Sequence, residues 1–153
     1  NVGWSDTYWS STNYPFAYKM RDTNGNQNFY LARLADVLLL KAEALASTGN
    51  STGAMALVNQ VRARAGIAAI SAANQSGAID KVLEERLMEL AFEGDRWFDL
   101  KRMGKAIQLL SQQKDGNGNV LPYATNINQN RLLWPIPQDK LDANALLTQN
   151  PGY

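Results

Sequence analysis

The sequence contains no cysteine and no histidine. The absence of cysteine excludes disulfides, thiolate chemistry and zinc–thiolate sites within this chain. The absence of histidine removes the commonest general base near neutral pH and the commonest metal ligand. An enzyme built from these residues would therefore depend on carboxylates, lysine, tyrosine or serine.

A large charge excess and long apolar runs are also missing. The 153 residues carry 15 basic and 14 acidic side chains, for a net charge of +1. This balance gives no clustered cationic surface of the kind that nucleic acids require, so no nucleic-acid partner is expected. The sequence also contains no run of 18 apolar residues, the length that a membrane-spanning helix needs. The hydrophobic fraction of 45% is sufficient for the core of one domain.

The chain divides into three zones. Residues 1–30 are polar and aromatic without helical periodicity, which predicts loop structure. Residues 31–110 show a helical pattern, and prolines in residues 111–153 predict an irregular, extended tail. The predicted fold class is mainly α, with tetratricopeptide-like helical pairs between the aromatic N-terminal segment and the proline-containing C-terminal tail.

The first helical pair is predicted directly after the aromatic segment. Apolar residues cover most of the circumference of the first helix, Leu31 to Ser47, which predicts that it is buried. Gly49 lies at the corner, and Ser51 or Thr52 can cap the second helix. Gly66 ends that helix. The pair has small residues at its crossing and resembles one tetratricopeptide unit.

A third helix, a tight corner and a short fourth helix are predicted between Ile79 and Gly104. One apolar face is expected to be core, and it consists of Ile79, Leu83, Leu87, Leu90 and Ala91. Gly94 suits the left-handed conformation that ends a helix, and Asp95 can cap the next one, Arg96 to Met103. We also interpret Trp97 and Trp134 as core residues.

Nine charged residues lie between Glu85 and Arg102, and they allow two interpretations. One is a glycosidase active site, which needs two carboxylates, one of them with a raised pKa. The candidates are Glu85, Glu89, Glu93, Asp95 and Asp99. Each lies within a few residues of an arginine or lysine, and a carboxylate held by arginine has a lowered pKa. We therefore favour a structural ion-pair network and predict no catalytic residue.

A second charged group lies on the first helix, where Arg33, Asp36 and Glu43 follow one stripe of an otherwise apolar surface. An unpaired buried charge is very costly, so these residues are expected to pair with the charges described above. The predicted network comprises Arg33, Asp36, Glu43, Arg86, Glu89, Glu93, Arg96 and Asp99.

Trp4, Tyr8 and Trp9 are the candidate ligand contacts, because they lie in a segment rich in asparagine, serine and threonine. Aromatic rings stack on the C–H faces of sugars while polar side chains bind the hydroxyls. The alternative is that these aromatics pack on the helical core or on another part of the protein.

Two segments begin like calcium-binding loops, Asp22 to Asn26 and Asp115 to Asn119. Both have oxygen side chains at positions 1, 3 and 5, but neither has glycine at position 6 or glutamate at position 12. The Asn-Gly and Asp-Gly pairs in these segments favour tight turns, which explains both. We predict no metal and no cofactor.

Three ordered motifs resemble the C-terminal half of the SusD/RagB family. They are the run from Arg33 to Ala44, the run from Glu85 to Arg102, and an ending that opens with Trp134-Pro135-Ile136-Pro137 and closes with Gln149-Asn150-Pro151-Gly152-Tyr153. The resemblance implies a non-catalytic protein that captures a glycan, as an oligosaccharide or polysaccharide, or another nutrient. It also implies delivery of that ligand to a TonB-dependent, SusC-like transporter.

The resemblance further implies a surface lipoprotein of Bacteroidetes-type bacteria, anchored in the outer membrane through an N-terminal cysteine that this chain lacks. Residues 1–153 would then be the C-terminal portion of a SusD-like domain, and the missing N-terminal half would complete its scaffold. Two alternatives stay open, a carboxylate-based glycoside hydrolase and a tetratricopeptide-like scaffold that binds a peptide.

Overall fold

The computed structural model describes Lys19, Asn24, Asn26 and residues 30–153. This part of the chain is mainly α-helical, which confirms the predicted fold class, and it contains no β-strand beyond an isolated bridge between Lys114 and Val120. The described residues fall into two compact units, one within residues 16–99 and one of residues 100–153.

The first unit contains the predicted helical pair, α1 from Leu34 to Ser47 and α2 from Ser51 to Arg64. Gly49 and Gly66 adopt the left-handed conformations, φ +89° and +73°, that the two turns require. The predicted cap of α2, Ser51 or Thr52, is wrong. The cap is Asn50, whose side chain accepts a hydrogen bond from the N–H of Gly53.

Helix α1 begins three residues later than predicted, because Arg33 is extended and forms its N-cap. Only one side of α1 is buried. Leu34 is 72% exposed and Val37 is 54% exposed, so the prediction that this helix is buried holds for one face only. An apolar circumference alone does not decide how many neighbours a helix has, since each face needs its own partner.

Helix α3, from Gln75 to Glu89, packs with α1 and α2 around one hydrophobic core. The core residues of α1 and α2 are Ala35, Leu39, Ala42, Ala46, Ala54, Met55, Val58 and Val61, and those of α3 are Ala78 and Val82.

The buried face of α3 differs from the predicted one. Leu83 is buried, but Leu87 is 46% exposed, and the buried positions beside it are Glu85 and Arg86. The apolar periodicity therefore predicted the buried face approximately. It missed the two buried charged residues, Glu85 and Arg86, which lie at one side of that face. This difference places two charged side chains of α3 inside the unit.

The corner after α3 uses two left-handed residues. Phe92 has φ +67° and Gly94 has φ +95°, and α4 then runs from Arg96 to Arg102. Gly104, at φ +66°, follows α4 as predicted. Phe92 is a non-glycine residue in a conformation that costs free energy, and its side chain is 71% exposed.

The second unit contains the short helices α5, from Ala106 to Leu110, and α6, from Gln138 to Ala143. Two 3₁₀ turns, Ala124–Asn126 and Gln129–Leu132, lie between them.

Trp134 is 78% exposed, so its assignment to the core is wrong, and Trp97 is only partly buried. Burial of this tryptophan was inferred from residue type, which does not determine exposure in an irregular segment.

Candidate functional site

The candidate site is an ion-pair network in the unit of residues 16–99. Helix α3 carries acidic and basic side chains along its second half, and the end of α2 and the start of α1 bring cations to it. The network divides into a Glu89 cluster, an Arg86 cluster and a separate Arg62–Glu85 pair.

Glu89 is the hub of the first cluster. Its carboxylate accepts hydrogen bonds from Arg33 Nη1 at 2.6 Å and from Arg64 Nη2 at 2.7 Å. Its backbone carbonyl, at the end of α3, accepts from Arg33 Nη2 and from Lys19 Nζ, each at 2.5 Å. Cations at a helix C-terminus satisfy its orphan carbonyls and interact favourably with its dipole. Glu89 therefore connects α3 with the starting residues of α1 and the end of α2.

Glu93, just after α3, completes this cluster. Arg33 Nε donates to Glu93 Oε2 at 2.8 Å, and Arg33 Nη2 donates to Oε1 at 2.9 Å, which is a bidentate pair. Lys19 also forms an ion pair with this carboxylate. Burial alone would raise the pKa of Glu93, but the hydrogen bonds from Arg33 and Lys19 hold it below its usual value. The hydrogen bond to Glu93 likewise raises the pKa of Arg33.

Arg86 is the centre of the second cluster. Its Nε donates to Asp99 Oδ2 at 2.7 Å and its Nη1 donates to Asp36 Oδ1 at 2.8 Å. The side chains of Arg86 and Asp99 are 2% and 3% exposed. Burial opposes the charge of Arg86, but its hydrogen bond with Asp99 leaves its pKa raised. One guanidinium thus ties α3 to both α1 and α4.

Four side chains outside the predicted network also belong to it, and they are Lys19, Arg62, Arg64 and Glu85. Arg62 Nη1 pairs with Glu85 Oε2 at 2.8 Å, and Arg64 and Lys19 pair in the Glu89 cluster. The signal for them was the spacing of Glu85 and Glu89, like charges four residues apart that disfavour an isolated helix and need partners elsewhere.

One of the predicted network residues, Arg96, is placed differently. Arg96 donates to the backbone carbonyl of Leu83 at 3.1 Å, and burial lowers its pKa. Glu43 is buried in α1, with 7% of its surface exposed. Sequence spacing alone could not distinguish Arg86 from Arg96 as the central cation.

Asp95 is the acidic residue of this region whose pKa is raised. Burial is the main cause, and the negative charges of Asp36, Asp99 and Glu93 add to it. Asp95 lines a cleft of about 240 Å³ on the surface of the unit. The other residues of this acidic cleft are Tyr30, Leu31, Ala32, Arg33, Asp36 and Glu93.

The candidate ligand contacts Trp4, Tyr8 and Trp9 lie outside the described residues, as do Asp22 and Thr23 of the first loop that begins like a calcium site. In the second such loop, Asp115 Oδ1 accepts hydrogen bonds from the N–H groups of Asn117 at 2.8 Å and Asn119 at 2.9 Å. These bonds are those of a tight Asx turn.

Helices α1, α2 and α3 pack together and are joined by ion pairs, and an irregular proline-containing tail follows them. The architecture is mainly α-helical with tetratricopeptide-like helical pairing. The model of the SusD family matches residues 1–153. Two SusD-like proteins of Formosa agariphila are 34% and 35% identical to the chain over 135 and 137 residues, and each alignment covers 82% of this chain. The chain belongs to the SusD family.

Solved structures agree with this assignment. A SusD-like protein from Bacteroides fragilis superposes with a TM-score of 0.68 at 26% identity, over 83% of this chain and 26% of that structure. A SusD homolog from Bacteroides thetaiotaomicron gives 0.65 at 31% identity, over 84% of this chain and 28% of that structure.

The chain spans about a quarter of the length of the curated relatives it matches, 25% and 26% for the two Formosa proteins. Among the helices that the structure describes, none is both long enough and apolar enough to cross a bilayer.

Proposed function

We propose that this protein captures a glycan, or another nutrient, at the bacterial cell surface without chemical conversion and delivers it to a TonB-dependent, SusC-like outer-membrane transporter. Membership of the SusD family is the observation that carries the proposal. The proposal includes attachment to the outer membrane through a lipid anchor that these residues do not contain.

The engagement of the carboxylates supports a non-catalytic role. A glycosidase needs one carboxyl that holds its proton and a second that is free to attack or to activate water. Glu85, Glu89, Glu93 and Asp99 each accept a hydrogen bond from an arginine within 2.8 Å. Charge-assisted hydrogen bonds occupy the oxygens that catalysis would use, so these residues serve the scaffold.

We also propose that residues 1–153 are the C-terminal portion of a SusD-like domain, in which the rest of the polypeptide covers surface that is exposed here. The apolar residues Leu34, Val37, Leu87 and Phe92 are at least 46% exposed in the unit of residues 16–99. Exposed apolar patches of several such residues are uncommon on stable monomers. The length of the relatives supports the same proposal.

A glycan array followed by calorimetric titration of the full-length protein tests the function. We expect at least one glycan to bind, and incubation with it to release no reducing ends. Trp4→Ala and Trp9→Ala should weaken binding with little change in melting temperature if these residues contact the ligand, because a solvated stacking platform contributes little to the core. Failure of every glycan and other nutrient tested to bind would refute the proposed capture role.

A glycoside hydrolase is the second candidate, because Asp95 combines a raised pKa with a position in the acidic cleft. That combination is typical of a general acid. Release of reducing ends by the wild type, abolished by Asp95→Asn but kept in a control such as Asp139→Asn on the exposed start of α6, would establish this activity and overturn the non-catalytic proposal.

A further inference from the structure

Ile136 lies between two prolines, Pro135 and Pro137, so its N–H is the only backbone donor of this three-residue stretch. The side chain of Gln149 pairs with both backbone groups of Ile136. Gln149 Oε1 accepts from the Ile136 N–H at 2.8 Å, and Gln149 Nε2 donates to the Ile136 carbonyl at 2.9 Å. The side-chain amide therefore makes the two hydrogen bonds that a paired strand residue would otherwise make.

Two more side chains from the same end of the chain bind the backbone just before Ile136. Asn150 Nδ2 donates to the carbonyl of Trp134 at 2.6 Å, and the hydroxyl of Tyr153 donates to the carbonyl of Leu133 at 2.9 Å. These partners lie 16 and 20 positions apart along the chain, so the bonds close a long loop. We call residues 149–153 the strap.

The strap also packs on the residues that precede this stretch. Gly152, at φ +91°, lies so close to Asn130 that a Cβ on the glycine would be 2.9 Å from the asparagine Cβ. The close approach and the left-handed conformation both require glycine. The guanidinium carbon of Arg131 lies 4.7 Å from the centre of the Tyr153 ring, which is a cation–π contact.

The backbone of residues 133–136 has little support besides the strap. Within the described residues it makes one hydrogen bond to another backbone group, from the Leu133 N–H to the Asn130 carbonyl, and at 3.4 Å this bond is long. The strap supplies four hydrogen bonds to the same stretch. The conformation of residues 133–136 therefore depends on side chains from another part of the sequence.

We propose that the strap is a conformational latch: it holds residues 131–136 closed, and its release opens this segment locally and exposes the Arg131–Leu132 peptide bond to proteolysis. Local opening breaks mainly the bonds of the strap, and segments with few bonds of their own open at low cost in free energy. A protease that recognises arginine must also remove Arg131 from the ring of Tyr153. This inference does not depend on the proposed function.

Hydrogen exchange and limited trypsin digestion of the full-length protein, both followed by mass spectrometry, test the latch. Gln149→Ala removes both bonds to Ile136, so amide exchange in residues 133–136 and cleavage after Arg131 should each rise at least about tenfold. Tyr153→Phe keeps the ring over Arg131 but removes the hydroxyl bond, so its effect should be smaller. Gly152→Ala should open the segment by displacing the strap from its close contact.

Asn144→Ala is the matched control. Asn144 is also an amide side chain of the tail, but its Oδ1 accepts from the N–H of Leu146, two positions away, at 3.0 Å and takes no part in the strap. Its exchange and cleavage should equal those of the wild type. Cleavage after Lys114, in a separate loop of the same unit, is the internal reference and should not change in any variant.

The melting temperature distinguishes a local latch from a general loss of stability. It should change little in all variants, because the hydrophobic core lies in α1, α2 and α3. Unchanged exchange and cleavage in Gln149→Ala and Gly152→Ala would overturn the latch. Equal increases after Arg131 and Lys114, together with a lower melting temperature, would also overturn it. If Gln149→Ala does not fold, Tyr153→Phe decides: increased cleavage confined to Arg131 supports the latch, and wild-type behaviour refutes it.

Discussion

Replacement of Arg86 by methionine tests whether the second ion-pair cluster stabilises the fold. Methionine keeps much of the side-chain volume but removes the charge and both hydrogen bonds, at 2.7 Å to Asp99 and 2.8 Å to Asp36. Asp99, 3% exposed, would then be a buried carboxylate without this guanidinium. Loss of one partner from a buried ion pair costs about 3 to 5 kcal/mol, so the free energy of unfolding should fall by that amount.

Arg64→Met is the matched control for this change. Arg64 also pairs with a carboxylate at 2.7 Å, but its side chain is 64% exposed, so its loss should cost no more than about 1 kcal/mol. The double variant Arg86→Met with Asp99→Asn also removes the Asp99 charge and should recover part of the loss. Urea denaturation followed by circular dichroism measures all three. Equal effects of Arg86→Met and Arg64→Met would refute the argument that burial sets the strength of this cluster.

Two further predictions concern protonation and backbone strain. The folded-state pKa of Glu93 is lowered, so its contribution to stability is present above its ordinary pKa of about 4.5 and is lost as the pH falls; Glu93→Gln should destabilise at pH 7 and change little in acid. The pKa of Asp95 is raised, so ionisation of this carboxyl opposes folding. Asp95→Asn should therefore stabilise the protein at neutral pH and lose that advantage as the pH falls toward the ordinary pKa of this group, 3.8. Thermal melts from acid to neutral pH measure both variants, and the same sign of effect at neutral pH would contradict the assignment. Phe92→Gly should stabilise the protein by about 1 kcal/mol, because glycine adopts the left-handed conformation without strain. Phe98→Gly inside α4 should destabilise the protein by about 1 kcal/mol. Denaturant unfolding measures both variants, and destabilisation by Phe92→Gly would show that the exposed ring has a packing role.

Local sequence signals predicted the turns at the helix ends, because these turns depend on neighbouring residues. Gly49, Gly66, Gly94 and Gly104 all adopt the left-handed conformations expected of them, because a turn of this kind needs a residue without a Cβ at one position. The choice of Asn50 over Ser51 as the cap of α2 was missed, since neighbouring polar residues cap a helix about equally well and the register of the first turn decides between them.

The sequence by itself determined that this protein is a helical scaffold with a charge-dense corner, because periodicity and glycine positions act within one segment, and its ordered motifs resembled those of the family. The tertiary structure alone decided which charges meet: Arg86 lies between Asp99 and Asp36, while Arg96 binds a backbone carbonyl. It also decided that Trp134 faces solvent. Spacing along the chain defines the face of one helix, but pairing and exposure depend on the position of its neighbours, which only packing fixes.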